Sequence, residues 1–419
     1  MKIDELRANF PILNDDLVYL DNASSTQKPQ EMIDSLLDFY TNQYANIHRG
    51  GYNLSLQASQ MYEESREIIQ KFLRAKYPEE IIFTSGTTES INLASVVLGN
   101  FKGVLESGWK LEKGDQIILT EMEHHANLIP WQILAKEREL EIKFIPVKKN
   151  GDLGLEIYDK LLNPKVKIVA FTHVSNTLGT VNPAKEITQK AHDYGSLVLI
   201  DGAQAVSHLE INFSDINPDF YCFSGHKLFG PTGIGVLYGK KELLEKLPPY
   251  KTGGDMIENV TFTTATFSPP PSKFEAGTPN ISGAIGLGTA IKYFQKISQT
   301  IIETEKNSYE NLKVYEKSLL QYATKKLWEI KNLRIIGEAK EKIAVISFVI
   351  EGIHPNDLGV FLDQKNICTR SGQHCTQPLL QKLNLTGGTN RISLAFYNTF
   401  EEIDKLIEVI NKALKILTN

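Results

Sequence analysis

Lys227 stands in the run Phe220-Tyr-Cys-Phe-Ser-Gly-His-Lys-Leu-Phe-Gly-Pro-Thr-Gly-Ile-Gly-Val236, after Ser224-Gly225-His226 and before a Gly/Pro-rich turn. An apolar stretch leads in (220 to 223) and another leads out (234 to 238), so two strand-like segments hold the lysine. Lysine is rarely buried without a reason. One reason is an amine that serves as a covalent nucleophile toward an aldehyde cofactor; the plainer reading of this run alone is a surface lysine beside a turn. A second reactive group is Cys375, which ends Thr369-Arg-Ser-Gly-Gln-His-Cys375. A cysteine in a polar, Gly-containing loop beside Arg and His is expected to be exposed, with a lowered thiol pKa. Cys222 and Cys368 lie in apolar strand contexts and read as packing residues.

Four further segments could support such chemistry. Gly86-Thr87-Thr88 falls where a strand turns into a helix, and free amides of a first helical turn favour phosphate, although Thr at an N-cap also has a purely structural use. Asp201 ends the apolar run Ser196-Leu-Val-Leu-Ile-Asp201 and needs a cationic or donor partner. That partner is a salt bridge or cap on one reading and a pyridinium N–H on the other, with Gln204 three residues on for a ring hydroxyl. His124, in Glu123-His124-His125-Ala-Asn127, lacks neighbours at zinc spacing; one imidazole stacked on a flat ring fits as well as an ordinary loop. Arg391 opens an apolar strand, where its planar fork suits a substrate carboxylate or an interdomain ion pair.

The elements that must position these residues alternate. Strands are expected at 81–84, 115–120, 142–147, 167–172, 196–201, 220–223 and 234–238, with helices at 89–98, from near 128, and at 184–194. Continuous apolar strands between helices predict a mostly parallel sheet covered on both faces, with functional groups at the carboxyl ends of its strands. Residues 247–282 are dense in Pro and Gly and read as a long crossing segment. A helical region (283–326), strands at 344–350 and 391–396, and an amphipathic helix at 401–417 then predict a smaller α+β domain. The 419 residues allow two domains, and 42% apolar with 23% charged residues is an ordinary globular composition. A net charge of −5 with mixed signs gives no nucleic-acid or membrane footprint, and no stretch is long enough to span a bilayer. Charged residues at the start and only three cysteines lead us to expect a cytoplasmic protein.

The motifs run from Tyr19-Leu-Asp-Asn-Ala-Ser24 to Arg391-Ile-Ser-Leu-Ala-Phe-Tyr-Asn398. Between them lie His48-Arg-Gly50, Gly86-Thr-Thr-Glu89, His173-Val-Ser-Asn176, Asp201-Gly-Ala-Gln204, Phe274-Glu-Ala-Gly-Thr-Pro-Asn280 and Arg370-Ser-Gly-Gln-His-Cys375. In this order they resemble the fold-type I pyridoxal-phosphate enzymes of aminotransferase class V, and more narrowly the Suf-type (group II) cysteine desulfurases. The resemblance implies a large α/β domain (20–285) with a mixed, mostly parallel seven-stranded sheet. A small α+β domain would be built from 1–19 and 286–419. It also implies pyridoxal 5'-phosphate carried on Lys227, with His124 stacked on the ring, Asp201 at the ring nitrogen, and Gln204 and Asn176 near the ring hydroxyl. Thr87, Thr88, Ser224 and His226 would hold the phosphate, joined by Thr278 from the second subunit of a homodimer. Arg391 and Asn176, with His48 and Arg370, would bind the substrate L-cysteine, and Cys375 would receive its sulfur.

The implied activity converts L-cysteine to L-alanine, leaves a persulfide on Cys375, and supplies sulfur for iron–sulfur cluster assembly. Lys227 would act as base at Cα, and His124 would manage the thiol and Cβ protons. A short loop around Cys375 implies a sulfur-acceptor protein, SufE-like or SufU-like, that reaches into the pocket. Two departures bear on this. Gln373-His374 replaces the usual His-His, and Pro355-Asn356-Asp357 has Asn where relatives served by a zinc-bearing scaffold carry His. A selenocysteine lyase is the rival within the class; a non-catalytic protein retaining the fold is the rival outside it, against which Lys227, Asp201 and Cys375 all stand intact.

Overall fold

The computed structural model describes residues 3–13, 16–105, 107–298 and 308–417. Seven strands form the main sheet: β1 (Ile81–Thr84), β2 (Gln116–Thr120), β3 (Glu141–Ile145), β4 (Val166–Thr172), β5 (Leu197–Asp201), β6 (Phe220–Ser224) and β7 (Gly235–Gly239). Their spatial order is β1-β7-β6-β5-β4-β2-β3. Every pair is parallel except those made by β7, which runs against both β6 and β1. The sheet is thus mixed and mostly parallel, as expected.

Alternation along the central strands explains why they are apolar throughout. In β6, Phe220 and Cys222 face one core with Trp131 and Val97, while Tyr221 and Phe223 face the opposite core with Phe171 and Ile187. Leu197 and Leu199 of β5 likewise point one way, and Val198 and Ile200 the other. Successive side chains of a strand point to opposite faces, so a sheet covered on both needs hydrophobes at every position. The helix Ala184–Asp193 shows the complementary pattern, burying Ala184, Ile187, Thr188 and Ala191 at helical spacing, and Gly195 at φ +75° follows its end.

A second sheet has the order β8 (Leu333–Ile336), β9 (Val345–Ile350), β11 (Thr389–Ser393), β10 (Arg370–Gly372), antiparallel throughout. The helices Ser308–Trp328, Pro355–Asp363 and Phe400–Leu417 cover it with a separate core that includes Leu319, Phe348, Leu358, Ile392 and Leu406. Helix Ile281–Ser298, in which the expected boundary at 285/286 falls, packs against helices Gln30–Asp38 and Asn53–Leu73. The helical region expected over 283–326 includes residues 299–307, which lie outside the described residues.

The segment 247–282 is not wholly irregular. It carries an exposed antiparallel hairpin, Ile257–Val260 with Ala265–Phe267, whose turn is closed by Thr261 Oγ1 accepting from the Thr264 N–H at 2.9 Å. Flanking Pro and Gly masked this pair of short strands, which bury almost nothing and so lack an apolar period. Among the described residues no helix is long and apolar enough to cross a membrane.

Candidate active site

Because β1, β2, β4, β5 and β6 are parallel, the residues that follow them converge on one edge of the sheet. Gly86 and Thr87 follow β1, His124 follows β2, Asn176 follows β4, Asp201 closes β5, and Ser224, His226 and Lys227 come off the end of β6. From the smaller unit Arg370 on β10, Cys375 and Arg391 on β11 reach the same place. All of these except Gly86 line one cavity of about 300 Å³, which also includes Thr88 and Gln204.

At one end the helix Thr87–Asn100 begins. Gly86 precedes it at φ +156°, ψ 178°, a region suited to glycine, and a Cβ there would come within 3.2 Å of Ser224 Oγ. Thr87 donates its N–H to Ser224 Oγ at 2.8 Å, and the two hydroxyls are 2.8 Å apart. Hydroxyls, free amides and a helix N-terminus here suit a phosphate dianion. His226 is pushed down to about 4 by burial and by the nearby Lys227 and Lys28 charges, so it is neutral at physiological pH.

Lys227 projects from a 3₁₀ turn, Gly225–Lys227, that caps β6. Burial lowers the pKa of its amine, Asp201 opposes that change, and the Arg391 charge adds to it. Asp201 is buried; burial raises its pKa, while the Ala203 N–H at 2.9 Å and Lys227 act the other way. A buried carboxylate with one amide donor and a cationic neighbour can hold a ring N–H. His124 accepts the Ala126 N–H on Nδ1 at 3.0 Å, which leaves its proton on Nε2. Burial, and next Lys227, depress it to about 4. At neutral pH His124 is therefore a flat, neutral ring with a donor at Nε2; taking up a second proton requires the Ala126 amide to let go.

The Cys375 loop is short and tied down. Between β10 and the helix Gln377–Lys382 lie only Gln373 to Thr376. His125 N–H donates to the Cys375 carbonyl at 2.8 Å, Asn176 Nδ2 to the His374 carbonyl at 2.8 Å, and His374 Nε2 lies 2.8 Å from Thr389 Oγ1. His374 and Cys375 both have positive φ (51° and 57°), backbone that non-glycine residues seldom adopt. The Cys375 side chain is exposed at the cavity mouth, whereas Cys222 is buried.

Arg391 is buried, and its Nη1 donates to the Asn176 carbonyl at 2.9 Å. Gln204 Nε2 donates to the Ala23 carbonyl at 2.6 Å while its side chain still lines the cavity. Two expected residues lie elsewhere. His48 is not in the lining; its Nε2 bonds Glu63 Oε1 at 3.1 Å, which raises its pKa, and Glu63 also pairs with the buried Arg66. Thr278, expected to act from a second subunit, is likewise outside this chain's cavity lining. Asp21, which contacts both Arg370 and Arg391, was not singled out beforehand, although the motif containing it was.

The aminotransferase class-V model matches residues 18–406. The chain belongs to the class-V aminotransferase family. It is 46% identical over 98% of its length to a cysteine desulfurase of Synechococcus elongatus, covering 63% of that protein. It therefore spans less than two thirds of that relative's length. A cysteine desulfurase of Serratia proteamaculans is 44% identical over 99% of both chains. The structure of an apo cysteine desulfurase from Thermococcus onnurineus superposes with a TM-score of 0.91 at 36% identity, covering 100% of this chain and 99% of that one.

The cofactor of this class-V family member is pyridoxal 5'-phosphate, and the cavity fits it. The Gly86–Ser224 cradle would hold its phosphate, Lys227 would meet the aldehyde carbon, Asp201 would face the ring nitrogen and His124 the ring face. When bound, the cofactor supplies an electron sink for the Cα carbanion. Lys28 adds a testable property at the edge of this site. Its Nζ donates to the His226 carbonyl at 2.9 Å, and burial lowers it to about 7 from 10.5. Between those values the unfolded chain holds a proton that the folded one has released, so stability rises with pH through that window. Melting curves from pH 6 to 10 should show this rise, and Lys28→Met should flatten it, gaining on the order of a few degrees below pH 7.

Proposed function

We propose that this chain is a Suf-type (group II) cysteine desulfurase that converts L-cysteine to L-alanine and passes the sulfur to Cys375. One observation carries the reading: the exposed thiol of Cys375 and the buried amine of Lys227 line the same cavity of about 300 Å³. The Serratia relative, alike over the full length of both chains, supports it. The carboxylate of L-cysteine docks on Arg391 beside Asn176, and the lowered pKa of Lys227 makes free amine available to take the Cα proton. The Cys375 thiolate attacks the substrate sulfur. An S–S bond forms, the Cβ–S bond breaks, and its electron pair stays with the carbon skeleton. Protons return at Cβ and Cα, so L-cysteine plus the Cys375 thiol gives L-alanine plus a Cys375 persulfide. His124 Nε2–H is placed to hydrogen-bond the sulfur as charge develops there.

The pinned loop supports delivery to a visitor rather than by a swinging arm. Bonds from His125 and Asn176 to the loop backbone keep Cys375 at the mouth, so an acceptor of SufE-like or SufU-like type must reach in, feeding iron–sulfur cluster assembly. The same reading makes the chain a homodimer in which the partner's Thr278 completes the phosphate site, and it counts His48 among the residues that bind substrate. It also divides the chain into 20–285 and the pair 1–19 with 286–419. Mass spectrometry of the holoenzyme after incubation with L-cysteine tests the central step. One added sulfur on the Cys375 peptide, removed by reductant, is expected; sulfur on Cys222 or Cys368 instead, or on none, would sink the assignment.

A further inference from the structure

Arg391 is already engaged at the nitrogen that any incoming carboxylate would need. Its Nη2 donates to Asp21 Oδ1 at 3.1 Å and to Ser24 Oγ at 2.9 Å, and its Nη1 donates to the Asn176 carbonyl. Its Nε is buried with no partner. A guanidinium takes a carboxylate bidentately on either of two edges, Nε with Nη2 or Nη1 with Nη2. Both edges need Nη2, which already serves two acceptors, Asp21 Oδ1 and Ser24 Oγ. Asp21 meanwhile has a second cation at hand: Arg370 Nε and Nη2 reach its Oδ2 at 3.1 and 2.9 Å. Asp21 is outside the cavity lining, whereas Ser24, Arg370 and Arg391 all belong to it.

We propose that Asp21 is an internal stand-in for the substrate's carboxylate, neutralising Arg391 in the resting pocket and yielding Nη2 when an α-amino acid docks. A buried guanidinium without a counter-charge is costly, so the pocket needs some carboxylate at all times. Nε, already desolvated and unpaired, gains its first partner only when the exchange occurs. Arg370, exposed on its outer side, keeps the released Asp21 paired. Asp21 is thus a positioning residue that sets amino-acid affinity by competition, and Ser24, which also donates to Asp21 Oδ1 at 2.9 Å, steadies the resting arrangement.

This inference rests on Arg391 being the carboxylate site. The test titrates holoenzyme with L-alanine, and with ethylamine, which lacks the carboxylate, following the cofactor absorbance. In Asp21→Asn the competing bond loses its charge, so L-alanine should bind about tenfold tighter, with ethylamine unchanged. Ser24→Ala, which removes one of the two acceptors on Nη2 and a donor to Asp21, should bind L-alanine severalfold tighter and provides the test if Asp21→Asn does not fold. Equal or weaker L-alanine binding by the folded Asp21→Asn variant, or by Ser24→Ala in its place, overturns the proposal. Arg391→Lys separates the two levels: L-alanine binding as in the unmodified protein would overturn both the carboxylate site and this inference. Loss of L-alanine binding there, with no tightening in Asp21→Asn, would overturn the inference alone.

Discussion

Lys227→Ala is expected to lower alanine formation from L-cysteine by at least about 10⁴-fold, the upper end of what a positioned base contributes. The residue has two tasks in the proposed cycle, and both need an uncharged amine at one point. Burial supplies that condition by lowering its pKa, while Asp201 limits the drop. Alanine at 227 has no amine for the aldehyde carbon and none for the Cα proton. The cofactor should still enter, because in the proposed site Thr87, Ser224 and His226 would hold the phosphate end independently of Lys227, so bound cofactor measured after gel filtration should remain detectable. Steady-state alanine assay checks the rate; a variant keeping more than about one part in a hundred of the activity would remove Lys227 from the chemistry.

The second large effect concerns Cys375. Cys375→Ser should cut alanine release from L-cysteine by about 10²-fold or more, since a hydroxyl is a far poorer nucleophile toward sulfur than a thiolate. Folding should be unaffected: the side chain is exposed and the loop is held through its backbone, and surface changes of this kind stay within about 0.5 kcal/mol. Parallel assays with L-cysteine and L-selenocysteine decide between the two activities of this class. Loss with both substrates fits a persulfide route for each. Full activity on L-cysteine ends the Cys375 proposal, and loss on L-cysteine alone identifies a lyase activity toward selenium that does not need the thiol.

Much of the site was legible in the order of residues because each lies directly after a strand. Asp201 closes an apolar run and Lys227 follows another, so a parallel sheet had to bring them to one edge. Segments that bury little carry little signal in the sequence. The hairpin 257–267 buries almost no side chain and sits among prolines, so neither period nor composition marked it. In sequence Asp21 is one polar residue of the motif Tyr19 to Ser24; its importance comes from Arg370 and Arg391, about 350 positions away in the chain.

Lys227 and Cys375 are legible in the sequence from the motifs that surround them and the order in which those motifs run. The run around Lys227 alone reads as a surface lysine, and it is the order of the motifs along the chain that marks the lysine and the cysteine as a pair. The tertiary structure decided the rest. It placed the thiol at the mouth of the cavity that the lysine lines, pinned the cysteine loop through His125 and Asn176, fixed the His124 tautomer through Ala126, and enclosed Arg391 with Asp21. Those features depend on burial and on contacts between distant segments. Burial sets which groups keep their charge, and long-range contacts set which donors are free, and neither can be read from neighbours in sequence.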